Sequence, residues 1–159
     1  MAALAVGNED DALDIIQDAM LAFVGKYGSH PEEEWAPLFY RVMQNRVTDW
    51  HRRSTVRNRL RSFLGWGDSP DDEDPLEQLA DRHTVPADSK IAGDQLAASL
   101  EAALTSLPLR QQQAFLLRAW EGLDTRQTAT AMGCSQGSVK THYSRALHAL
   151  RDSLEEFRP

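Results

Sequence analysis

The chain is poor in the residues that staple or metallate a fold. It holds one cysteine, Cys134, so no internal disulfide can form. Its five histidines, His30, His51, His83, His142 and His148, never fall into metal-ligand spacing with that thiol. No metal or cofactor is expected. No run approaches the roughly 20 consecutive apolar residues of a membrane-spanning helix, and the opening MAALAVGNEDD has no basic region ahead of an apolar stretch. These absences predict a protein of the reducing cytoplasm, without export and without a membrane partner. No segment alternates apolar and polar residues long enough to suggest a strand, which leaves an all-α fold. Acids such as Asp10, Asp11, Asp14 and Asp18 stand without a nucleophile, a glycine-rich phosphate loop or a metal motif, so no enzyme is expected.

What is present is 159 residues, 42% of them hydrophobic, enough for one ordinary domain or two small ones. The formal net charge of -7 argues at first against a nucleic-acid partner. Its distribution reverses that impression. Arg41, Arg46, Arg52, Arg53, Arg57, Arg59 and Arg61 fall in one segment opposed only by Asp49, whereas the acids gather near the start, at Glu32 to Glu34, and from Asp68 to Asp88.

Apolar spacing places a first helix from Asp11, with Leu13, Ile16, Met20, Phe23 and Val24 as its apolar stripe, ending near Gly25 and Gly28. Pro31 followed by three glutamates marks the next helix start. Pro37 then predicts a break before the main helix, whose inner face is Leu38, Phe39, Val42, Met43, Val47 and Trp50. Beyond Leu60 the rhythm fails through a stretch rich in glycine, proline and acids. The expected organisation is a first helical domain over 1–60, a flexible acidic linker over 61–93 and a second helical domain over 94–159. In the second, Leu96, Leu100, Leu104 and Leu107 form an apolar face, and Pro108 opens a helix carrying Phe115, Leu116, Leu117 and Trp120. Gly122 suits a left-handed stop, Asp124 caps a helix over about Thr125 to Met132, Gly133 turns the chain and Ser135 caps the last helix. This is a helix-turn-helix layout. Val139, Tyr143, Ala146, Leu147, Leu150 and Leu154 face its core, leaving Gln136, Ser138, Lys140, Thr141, Ser144 and Arg145 as the groove-reading candidates.

The run from Leu107-Pro108 through Arg110-Gln111, Glu121-Gly122-Leu123, Ala129, Gly133, Ser135, Gly137, Val139-Lys140, Arg145-Ala146 and Leu150-Arg151 resembles region four of the sigma-70 family. That is the helix-turn-helix (winged-helix-like) domain that binds the minus-thirty-five promoter element. Gln127 and Thr128 stand where the family has Glu and Ile, which predicts looser packing of the first helix of the motif. LuxR-type regulators, which act without polymerase, share a similar Val-Lys-x-His run, and the first half of the chain separates the two families.

There, DALDIIQDAMLAF resembles the core-binding segment of sigma region two. The resemblance implies that Asp14, Gln17 and Asp18 face the β′ clamp helices of RNA polymerase, while the second domain meets the β flap. WAPLFYRVMQNRVTDWHRRSTVR resembles the segment that opens the duplex and holds the minus-ten strand. By that resemblance Tyr40, Asn45, Arg46 and Asp49 contact the strand, with Arg41, Arg52, Arg53 and Arg57 on phosphate. Trp35, Phe39 and Trp50 are expected in the core. The loop from Lys26 to Glu34 corresponds to the family's base-pocketing loop, although its three glutamates depart from a DNA-facing surface. The chain is thus identified as a member of the extracytoplasmic-function class, lacking most of the leading helices of region two and all of region three. The resemblance also admits an anti-sigma factor as a partner.

Overall fold

The computed structural model describes residues 1–63 and 92–155, and every regular element among them is helical. Helix α1 spans Ala2–Val6, α2 Glu9–Tyr27, α3 Glu32–Phe63, α4 Ala92–Ser106, α5 Leu109–Phe115, α6 Thr125–Met132 and α7 Gln136–Ser153.

The Asn8 side chain accepts from the backbone N–H of Asp10 at 2.8 Å and of Asp11 at 3.2 Å. Helix α2 therefore begins at Glu9, two residues before the expected start, with three acids on the positive end of its dipole. Its buried residues are Ala12, Ile15 and Ala19. The expected stripe is corrected: Leu13, Met20 and Val24 are 57%, 55% and 68% exposed, whereas Ile16 and Phe23 are half-buried. The contact face is set instead by the alanines, which let α2 approach its neighbours closely.

The break expected at Pro37 does not occur, for α3 runs through it unbroken. The ring removes a single donor near the helix start, whose orphaned partner, the carbonyl of exposed Glu33, can turn to water. Met43 and Val47 are buried, with Phe39, Val42 and Trp50 packed around them. Of the stretch expected as linker, residues 61–63 continue α3 and Ala92 and Gly93 open α4; residues 64–91 lie outside the described residues.

Helix α5 passes into a π-helical turn over Leu116–Trp120, closed by the bond from Glu121 N–H to the Leu116 carbonyl at 3.0 Å and followed by Gly122 at φ 70°. The wider turn slips the apolar phase, so Trp120 is 75% exposed while Leu116 and Leu117 are buried. Asp124 and Gln127 form a reciprocal capping box at the start of α6. Thr128 is completely buried, its hydroxyl donating to the Asp124 carbonyl at 2.7 Å. The looser packing expected from those two residues is therefore corrected: the amide completes the cap, and the threonine hydroxyl finds its partner within the helix.

Three apolar clusters result. One joins α1, α2 and α3 and takes Leu109 from α5. The second gathers Ala114, Leu117, Leu123, Ala129, Met132 and Val139, and the third sets Leu104, Leu107 and Leu116 against Ala146 and Leu150. The two helical units meet, α3 against α6 and α1 against α4.

Candidate nucleic-acid interface

Gly133 takes the left-handed conformation that ends α6, and Ser135 caps α7 by accepting from the Ser138 N–H at 3.1 Å. The Arg110 guanidinium braces this turn, donating to the Met132 carbonyl at 2.9 Å. Val139, Ala146 and Leu150 anchor α7 in the cores. On the opposite side Gln136, Lys140, Thr141, Ser144 and Arg145 are exposed. Ser138 is half-buried, and its hydroxyl lies 2.9 Å from that of Ser135, so it belongs as much to the cap as to the exposed face. The Thr141 hydroxyl donates back to the Gly137 carbonyl at 3.1 Å.

Along α3, Arg41, Asn45, Arg52, Arg53 and Arg57 are exposed, and Arg46 and Asp49 are half-buried. Arg41, Asn45, Asp49 and Arg52 follow one another at helical spacing on one face. Tyr40 does not join them. It shares the spacing of buried Gln44, Val47 and His51 and packs against both the first core and the cluster of the second unit. Burial first, then the influence of the nearby Glu121 carboxylate, pushes its phenol above the usual range.

Arg41 also lies at the junction. Together with Arg126, Ala129, Thr130, Gly133, Cys134, Ser135 and Gln136 it lines an open cleft of about 480 Å³ between α3 and the turn of the helix-turn-helix. Two guanidiniums and the positive end of α7 thus share one concavity. Arg126 was missed in the sequence, where nothing in its local spacing separates it from a solvated charge, and Arg110 and Glu121 entered there only as positions matching the family.

Asp14, Gln17 and Asp18 are exposed on α2 beside the apolar Leu13, Met20 and Leu21. In the loop before α3, His30 Nδ1 lies 3.0 Å from a Glu34 carboxylate oxygen, and the Trp35 indole donates to the His30 carbonyl at 2.7 Å. Phe23 packs edge-on against Trp35 and Phe39, so these rings form a cluster at the helix junction, with Trp35 37% exposed.

Residues 97–150 match the family model described as Sigma-70, region 4. The chain is 33% identical over 145 residues to the RNA polymerase sigma-E factor of Streptomyces coelicolor, covering 91% of this chain and 72% of that one. The corresponding factor of Streptomyces antibioticus is 32% identical over 146 residues, covering 91% and 71%. The chain belongs to the sigma-70 family, in its extracytoplasmic-function class. It is a sigma factor that directs transcription initiation through RNA polymerase, and such factors are not enzymes. These matches span both halves of the chain, which the LuxR reading of the second half alone does not explain.

In fold the sigma factor is similar to RpoE of Bartonella quintana, solved in complex with the anti-sigma factor NepR. The TM-score is 0.62 at 21% identity, covering 99% of this chain and 89% of that one. Both are all-α, with a region-two-like bundle and a helix-turn-helix bundle. The Bartonella protein is held by an anti-sigma factor. The cytoplasmic assignment made from the cysteine count and the missing leader is accordingly corrected to a narrower statement: no helix among the described residues is long and apolar enough to cross a membrane.

Proposed function

We propose that the sigma factor reads its promoter with two separate surfaces, and that the polar face of α7 is the one that sets promoter choice. Gln136, Lys140, Thr141, Ser144 and Arg145, with Ser138 at the edge, approach the minus-thirty-five duplex in the major groove, where an amide suits adenine and a cation suits guanine or phosphate. Asn45, Arg46, Asp49 and Tyr40 receive the minus-ten strand, and Arg41, Arg52, Arg53 and Arg57 follow its phosphates. Asp14, Gln17 and Asp18 on α2 meet the β′ clamp helices of core polymerase, and the second unit meets the β flap. An anti-sigma factor is a further partner of the same surfaces. The division is residues 1–60 for strand and core, 61–93 as tether and 94–159 for the upstream duplex.

The observation that carries this reading is the exposure of one polar face of α7, opposite an apolar one anchored by buried Val139, Ala146 and Leu150. In-vitro transcription with core polymerase and a promoter library tests it. Lys140→Ala and Arg145→Ala should relax discrimination at a minus-thirty-five base, by about 1–3 kcal/mol where the lost contact is bidentate. Unchanged promoter choice in both variants would refute the assignment of α7.

A further inference from the structure

Arg41 of α3 and Arg126 of α6 line one cleft of about 480 Å³, with Gly133, Cys134, Ser135 and Gln136 between them in sequence order along the turn. Both arginines are exposed, and neither has an ion-pair partner among the described residues. No carboxylate lines the cleft. Its one other ionisable group, the Cys134 thiol, is held neutral by burial. Two guanidiniums in one concavity without a counter-charge repel each other, and an anion between them relieves that repulsion.

The turn adds backbone donors. A Cβ at left-handed Gly133 would stand 3.9 Å from Arg41 Nη2, so the guanidinium lies against the turn itself. Beyond it the Ser138 N–H is taken by the Ser135 hydroxyl and the Val139 N–H by the Ser135 carbonyl. The N–H groups of Gln136 and Gly137 have no carbonyl inside α7 to reach. A Cβ at Gly137 would meet only Ser135 Oγ, at 3.7 Å, so no side chain screens that amide. A guanidinium fork engages two oxygens of one phosphoryl group, so two arginines on separate helices suit two phosphoryl groups better than one. The volume lies in the range of sites that hold whole small organic molecules.

We propose that this cleft is a binding site for a small organic diphosphate, its two phosphoryl groups held by Arg41 and Arg126 beside the turn that opens α7. Occupancy withdraws Arg41 and Gln136 from DNA. That consequence rests on the DNA-facing assignment of those two residues made above, whereas the site itself does not.

The test titrates the full chain calorimetrically with ADP as the probe and follows its amide resonances alongside. ADP should bind at one site, AMP about tenfold more weakly, and pyrophosphate should displace ADP; the Gly133 and Gly137 amide signals should move. Arg41→Gln and Arg126→Gln should each weaken ADP by about tenfold, the scale of one charge-assisted hydrogen bond. Arg151→Gln, which removes the same charge near the end of α7, should leave that affinity unchanged. An equal loss in Arg151→Gln would reduce the effect to general charge attraction and overturn the site. So would equal affinity for ADP and AMP, or binding that leaves both glycine signals in place. Failure of ADP to bind would overturn it outright, and the same signals moved by a short single-stranded DNA would then give the cleft to backbone phosphate. Saturating ADP should weaken the parent chain's binding to that DNA by about tenfold, and should not weaken it in Arg126→Gln, a residue outside the DNA assignment. Constant DNA affinity in the ADP-bound parent would overturn the consequence alone.

Discussion

His142 lies half-buried on α7, one residue from exposed Thr141. Burial, followed by the charges of Arg110 and Arg145, lowers its pKa from the ordinary 6.5. The unfolded chain therefore takes up a proton here before the folded chain does. Stability contributed by the neutral ring is present above the ordinary value, and is lost as pH falls from 6.5 through the depressed folded value. Thermal melts in a series from neutral to mildly acidic buffer should show that decline, and His142→Gln should flatten it. A slope identical in the variant would show that other groups cause it. Burial acts in the opposite sense on Cys134, raising its pKa against the opposing charge of Arg110, so little reactive thiolate is present at neutral pH.

At the scale of elements, capping decided where helices begin and small side chains decided which faces pack. The capping box of Asp124 and Gln127 ties both ends of the first turn of α6. Asp124→Ala should lower stability by about 1 kcal/mol, visible as a lower urea midpoint with an unchanged denaturant slope. This part of the fold was legible: the span Thr125–Met132, the Gly133 stop and the Ser135 cap all follow from local chemistry, and all are present. The phase of α2 was not legible, since Ala12 and Ala19 contribute little to an apolar pattern yet occupy the contact face. Helix α1 was missed for a related reason, being only five residues long and held by Ala2 and Val6. The π turn could not be read from spacing either, and with it went the position of Trp120. The exposed face of α7 was read correctly as polar, whereas the turning of Tyr40 toward Glu121 depends on residues far apart in sequence, which no local pattern reports.

At the scale of the whole molecule, the net charge of -7 and the basic face of α3 coexist because opposite charges occupy different segments. Long-range repulsion from the acids then opposes the short-range grip of the arginines, and salt screens both. Phosphate contacts release counterions, so promoter binding by the holoenzyme should weaken steeply as salt rises. Arg52→Ala and Arg53→Ala should each reduce the log–log slope by about 1 while leaving promoter preference intact. A titration that stays flat for the parent protein would count against phosphate contact by α3.

Leu109 belongs by sequence to one half of the protein and by packing to the other. Severing the backbone anywhere between residues 63 and 92 would leave that leucine as a plug belonging to one fragment and seated in a socket built by its counterpart. Wetting it would cost about 1.5–3 kcal/mol, so spoiling the socket, as Val47→Asp would do, should weaken the association of the nicked pieces by about tenfold to a hundredfold.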